Sequence, residues 1–102
     1  MHRSKRSLRT TVKVNGALVE VVTISGLAEI VGKSRKTILR YESTGVFPPA
    51  LFVIGNYRYY SVTLAKKLVP LVNRLPLHKK PDAELIAEIT RTFNEERNKY
   101  AS

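Results

Sequence analysis

The chain has 102 residues, a formal net charge of +10 and no cysteine. That length suits one domain with a thin core. The missing thiols exclude disulfide staples, cysteine nucleophiles, Cys-based zinc sites and sulfur-based redox or soft-metal sensing.

The hydrophobic share of 43% argues against disorder, while the excess of cations asks for an anionic partner, nucleic acid first and a membrane surface second. Residues 1–10 carry Arg3, Lys5, Arg6 and Arg9 and no acid. They read either as a solvated end or as a basic arm lying along or inside a DNA groove. Residues 11–24 read as strand, turn, strand. Val12 and Val14 alternate with polar neighbours, Asn15-Gly16 is the signature of a type I′ turn, and Leu18, Val19, Val21, Val22 and Ile24 continue with high β-propensity.

The period then becomes helical. Ser25 is placed to cap a first helix carrying Leu27, Ile30 and Val31 on one side, and Gly32 to end it. Ser34 is a second N-cap, followed by Thr37, Ile38 and Tyr41 as an inward stripe. Two short helices around a tight turn make a helix-turn-helix candidate. Gly45 closes the second helix and Pro48-Pro49 forbid its continuation. Residues 52–54 read as a strand, Gly55-Asn56 as a turn and residues 58–60 as a returning strand, a hairpin of the size of a wing. Ser61 caps a helix expected over residues 62–69. Pro70, Pro76 and Pro81 segment the chain beyond it, so residues 71–75 read as a short turn or a kinked extension. Residues 82–100 predict a last helix with a seam of Ile86, Ile89, Phe93 and Tyr100, broken by Glu96, and with Glu95 and Lys99 as a supporting pair. This helix either packs back on its own domain or forms a dimer seam.

The order strand, helix, turn, helix, hairpin, helix predicts an α+β fold, mainly α: a winged helix-turn-helix with an N-terminal β-hairpin and a C-terminal helix. The expected organisation is a flexible arm over 1–10, the winged domain with its hairpin over 11–76, and a linker and C-terminal helix, open to oligomerisation, over 77–102. Three motifs carry a more specific likeness: Thr23-Ile24-Ser25-Gly26-Leu27-Ala28, then Gly32-Lys33-Ser34-Arg35-Lys36-Thr37-Ile38-Leu39-Arg40-Tyr41-Glu42 with Gly45-Val46-Phe47-Pro48-Pro49, then Asn56-Tyr57-Arg58-Tyr59-Tyr60-Ser61. In this order they resemble the DNA-binding domain of the MerR family of regulators over residues 23–69.

Helix 34–43 is expected in the major groove, with Ser34 at its start, Arg35 and Lys36 in its first turn as the best base contacts, and Arg40 on phosphate. Thr37 either packs through its methyl or bonds through its hydroxyl. Tyr41 resembles the family's phosphate-binding tyrosine; its rival reading is a buried tyrosine. Arg58, flanked by Tyr57 and Tyr59, is expected on phosphate or in the minor groove from wing 52–60. The family's Arg-Tyr-Tyr-Glu is here Leu39-Arg40-Tyr41-Glu42, so base preferences do not carry over. Asn56 stands where the wing turn often has Gly, and tolerates positive φ. The Asn-Gly hairpin is additional to the family pattern and is expected to add strands to the wing sheet or cover its edge. The family's long dimer helix and effector domain have no counterpart in the sequence.

The function expected is sequence-specific double-stranded DNA binding by a small transcriptional regulator. The alternative is a phage or mobile-element architectural protein, excisionase-like or terminase small-subunit-like. Expected partners are double-stranded DNA, a second copy in a homodimer or higher homo-oligomer, and RNA polymerase, a recombinase or a packaging enzyme. No membrane, metal or cofactor is expected, and the place of action is the cytoplasm of a bacterium or infected host cell. Catalysis is not expected: His2 and His78 have no nearby carboxylate at triad or metal spacing, and there is no Gly-rich phosphate loop. RNA binding through Tyr57, Tyr59 and Tyr60 is a lesser reading, because strand alternation puts Tyr60 on the opposite face.

Overall fold

The computed structural model describes residues 9–76 and 79–100. Of the basic arm, Arg3, Lys5 and Arg6 lie outside the described residues, as do both histidines. Arg9 corrects the expected boundary. It opens strand β1 (Arg9–Val14), pairs with Val22 of β2 (Ala17–Val22), and sets its guanidinium 3.2 Å from the Glu20 carboxylate. The turn is of the expected kind, with Asn15 and Gly16 both at positive φ, 50° and 86°.

Helix α1 (Ile24–Val31) starts earlier than the sequence suggested. Thr23, not Ser25, is its N-cap, and its hydroxyl accepts from the Gly26 amide at 3.2 Å. The earlier start agrees with burial: Ile24 and Leu27, three residues apart on the helix, both enter the core. Gly32 ends α1 at φ 76°, and the Lys33 amide closes back on the Ala28 carbonyl at 2.9 Å. Helix α2 (Arg35–Ser43) follows directly, capped by Ser34 as expected. Its inward stripe is narrower than predicted: Ile38 is buried, while Thr37 and Tyr41 are half-buried. Together α1 and α2 form the helix-turn-helix.

A second hairpin comes next, β3 (Phe52–Ile54) and β4 (Tyr57–Ser61). Its turn differs from expectation. Gly55 takes the positive φ, 62°, and Asn56 does not, so Asn56 needs no special tolerance. Strand β4 also pairs with β2 through Val21↔Ser61 and Val22↔Tyr60. The first hairpin therefore adds its strands to the second, giving one antiparallel sheet in the order β1-β2-β4-β3.

Ser61 leaves the sheet and caps α3 (Val62–Asn73), its hydroxyl accepting the Leu64 amide at 3.2 Å. This helix passes through Pro70 rather than stopping before it. Proline in a helix interior costs about 3 kcal/mol. Leu71, Val72 and Leu75 beyond it are buried, and each fully buried side chain returns roughly 1.5–3 kcal/mol, so tertiary packing outweighs the break. The last helix, α4 (Ala83–Lys99), buries Leu85, Ile89, Phe93 and Glu96. Its apolar face packs back on its own chain, where the Phe93 ring lies 5.4 Å from Phe47 and 6.4 Å from Tyr60. Ile86 and Tyr100 of the expected seam are half-buried. Lys99 pairs with Glu96, at 3.3 Å, rather than with Glu95.

Candidate nucleic-acid interface

Helix α2 presents its first turn to solvent because its single buried anchor, Ile38, sits on the opposite side. Arg35, Lys36 and Arg40 are exposed. Ser34 spends its oxygen on the Thr37 amide (3.1 Å), and the two hydroxyls bond to each other at 3.0 Å. Both polar groups thereby fix the start of the helix, leaving the charge at the surface to the neighbouring cations. Tyr41 packs its ring 5.2 Å from Phe47, with the Arg40 guanidinium 6.0 Å from the ring centre. Burial raises its phenol pKa above the ordinary value, and the Arg40 charge works against that rise.

On the β3–β4 hairpin, Tyr57 and Arg58 are exposed and Tyr59, opposite Phe52, is half-buried. Tyr60, on the opposite face, is buried, and burial pushes its hydroxyl well above the usual phenol range, with Glu42 adding to the rise and Arg58 opposing it. The Arg58 Nε lies 3.4 Å from the Glu42 carboxylate at the far end of α2.

The start of α2 and the hairpin turn meet at a groove of about 320 Å³, lined by residues 23–25, Arg35 and residues 56–58. Of the expected site residues, the groove gathers Arg35, Tyr57 and Arg58; Ser34, Lys36, Thr37, Arg40, Tyr41 and Tyr59 are not among its walls. Sequence reasoning missed Thr23, Ser25 and Asn56, which line it, and Glu42, which holds one of its arginines. The signal for Glu42 was present: it is the one acid in a helix otherwise rich in cations.

Residues 22–69, from the end of β2 into α3, match the family model described as MerR HTH family regulatory protein. This segment is a MerR-like helix-turn-helix domain. No curated protein and no solved structure matches the chain. The family is one of DNA-binding regulators, not of enzymes. The MerR-like domain is just under half of the sequence; β1, most of β2 and α4 lie outside it. Among the described residues no helix is long and apolar enough to cross a membrane.

Helix α4 braces this domain from behind. The Glu96 carboxylate, fully buried, accepts from Ser61 at 2.8 Å and from the Thr63 hydroxyl, and faces the Lys67 and Lys99 ammonium groups, each at 3.3 Å. Burial alone would raise its pKa, but the bonds from Thr63, Ser61 and Lys99, with the Lys99 charge, outweigh it and hold the carboxyl at about 2. Arg97 donates to the Pro49 carbonyl at 3.0 Å, and the Tyr100 ring packs 5.6 Å from Phe52 at the base of the second hairpin. Asn15 donates from the first hairpin turn to the Tyr100 carbonyl. Both hairpins are thus tied to one helix end.

Proposed function

We propose that this protein is a sequence-specific double-stranded DNA-binding protein and a small transcriptional regulator acting in the cytoplasm. Helix α2, with its Ser34 cap, enters the major groove, and hairpin 52–60 serves as a wing against the backbone or minor groove. Arg35 and Lys36 are the base-reading candidates, since guanine offers two acceptors that an arginine fork matches. Arg40, Tyr41 and Arg58 take phosphates, and Tyr57 and Tyr59 flank the wing contact.

The observation that carries this reading is the shared groove. It brings a cation from the start of α2 and a cation from the hairpin to one surface, as a protein gripping one duplex needs. The Thr23 and Ser25 hydroxyls at the start of α1 line the same groove and are suited to a backbone phosphate. The N-terminal segment with Arg3, Lys5 and Arg6 is the candidate arm for flanking DNA. Homodimers or higher homo-oligomers would have to use surfaces other than the Leu85, Ile89 and Phe93 face, which is spent in the core.

The test is selection of a random duplex library at rising salt, followed by titration on the recovered site. A sequence motif should emerge, and Arg58→Ala should lower the salt slope by about one unit while weakening all sites alike. Binding without any enriched sequence would refute sequence-specific reading.

A further inference from the structure

We propose that Glu42 is a positioning residue for Arg58: it locks the hairpin to the end of α2 so that both engage the duplex as one body. The inference rests on the DNA-binding reading and deepens it.

An acid on the helix that carries Arg35, Lys36 and Arg40 is out of place electrostatically. Taken alone, its charge repels a polyanion. The structure gives it a different task. Glu42 is in the last turn of α2 with its side chain 21% exposed, turned toward β4, where its Oε1 lies 3.4 Å from the Arg58 Nε. The pair joins two elements that sequence separates by a loop and a strand.

The hairpin needs such a tie. Strands β3 and β4 pair over three positions only, Phe52↔Tyr59, Val53↔Arg58 and Ile54↔Tyr57, and β2 reaches β4 only at Tyr60 and Ser61, so no third strand supports the hairpin beyond them. Arg58 stands in the middle pair, across from the exposed Val53. Holding it therefore holds the register of the tip relative to α2.

The atom used also matters. A guanidinium has five N–H donors in a rigid fork. The carboxylate comes closest to it at Nε, as an ion pair, and among the described residues no hydrogen bond occupies its terminal nitrogens. The end of the fork is left for a phosphate. Because Arg58 and Arg35 line the same groove, fixing Arg58 also fixes the spacing between wing contact and base contact.

Two accounts predict opposite signs, which makes the test sharp. If Glu42 merely repels DNA, Glu42→Gln tightens binding. If it positions Arg58, Glu42→Gln weakens binding to the selected site by about three- to tenfold, a coupling typical of residues in direct contact, and lowers the salt slope by about one unit. Hydroxyl-radical protection under the hairpin should fade while protection under α2 stays. Arg58→Lys keeps the charge but has no Nε; it should behave like Glu42→Gln and serves in its place if that variant does not fold. Glu42→Gln on an Arg58→Ala background should add nothing. Tighter binding by Glu42→Gln, or wild-type footprints from Arg58→Lys, would overturn the positioning role alone. Failure of the wild-type protein to bind any duplex would overturn it together with the DNA-binding reading.

Discussion

Of the carboxylates that face cations in this molecule, Glu96 and Glu42 differ in almost everything else. Glu96 is wholly enclosed, with two hydroxyls and two ammonium groups around it. Glu42 is partly open to water and meets one guanidinium at 3.4 Å. The first joins α4 to the β4–α3 junction and belongs to stability. The second joins α2 to the hairpin at the surface, where the proposed recognition takes place. Burial, not charge pairing as such, separates the two roles, since a buried carboxylate stripped of partners is costly and an exposed ion pair is worth at most about 1 kcal/mol.

The largest effect expected is on the interior side. Phe93→Ala, which empties the space between Phe47 and Tyr60, should cost roughly 3–5 kcal/mol in denaturant unfolding. A loss under about 1 kcal/mol would mean that α4 is not part of the core. Glu96→Gln should cost about 3 kcal/mol near neutral pH, because Ser61 and Thr63 lose their charged acceptor. The pH dependence has a definite sign. Glu96 is held at about 2 against an ordinary 4.5, so its ionised form contributes stability that is full above about pH 4.5 and is lost as pH falls toward 2. That contribution is on the order of 3 kcal/mol. Acid titration of stability should therefore be flatter in Glu96→Gln than in the wild type; parallel curves would show that the carboxylate is not the titrating group.

On the surface side, the same measurements should move little. Arg35→Ala should change folding stability by no more than about 0.5 kcal/mol, yet cost roughly 1–3 kcal/mol of binding and relax the preference at one base position. An equal loss on every sequence would reduce Arg35 to a phosphate contact. Smallest of all is the exposed Arg9–Glu20 pair at 3.2 Å. Arg9→Ala should leave the melting temperature within a degree or two, as an isolated surface pair allows; a large drop would give β1 a structural weight its exposure does not suggest.

Much of this was legible locally. Asn15-Gly16, Gly32, Ser34 and Ser61 each announce a turn or cap through their own chemistry, and the structure uses each in that way. What was not legible depended on distant partners. Thr23 displaces Ser25 as cap because Ile24 has a core to enter. Helix α3 outruns Pro70 because Leu71 and Val72 have one too. Glu96 looked like a polar break in an apolar seam, since its partners Ser61 and Thr63 lie more than thirty residues upstream. At the candidate interface, charge alone pointed to Arg35 and Arg58. The ion pair that orients Arg58, and the hydroxyls of Thr23 and Ser25 beside it, required the register of strands to be known.

Ser61 is a strand residue opposite Val21, the cap of α3 and a donor to Glu96, all through one backbone unit and one hydroxyl. A substitution there is judged three times over, so its effects and those of changes at Glu96 will not add. Arg35 and Lys36, by contrast, are exposed, and the Arg40 guanidinium touches only the Tyr41 ring among the described residues. Single substitutions at those exposed cations should therefore leave the fold intact, whereas the serine at the sheet-to-helix corner should tolerate none.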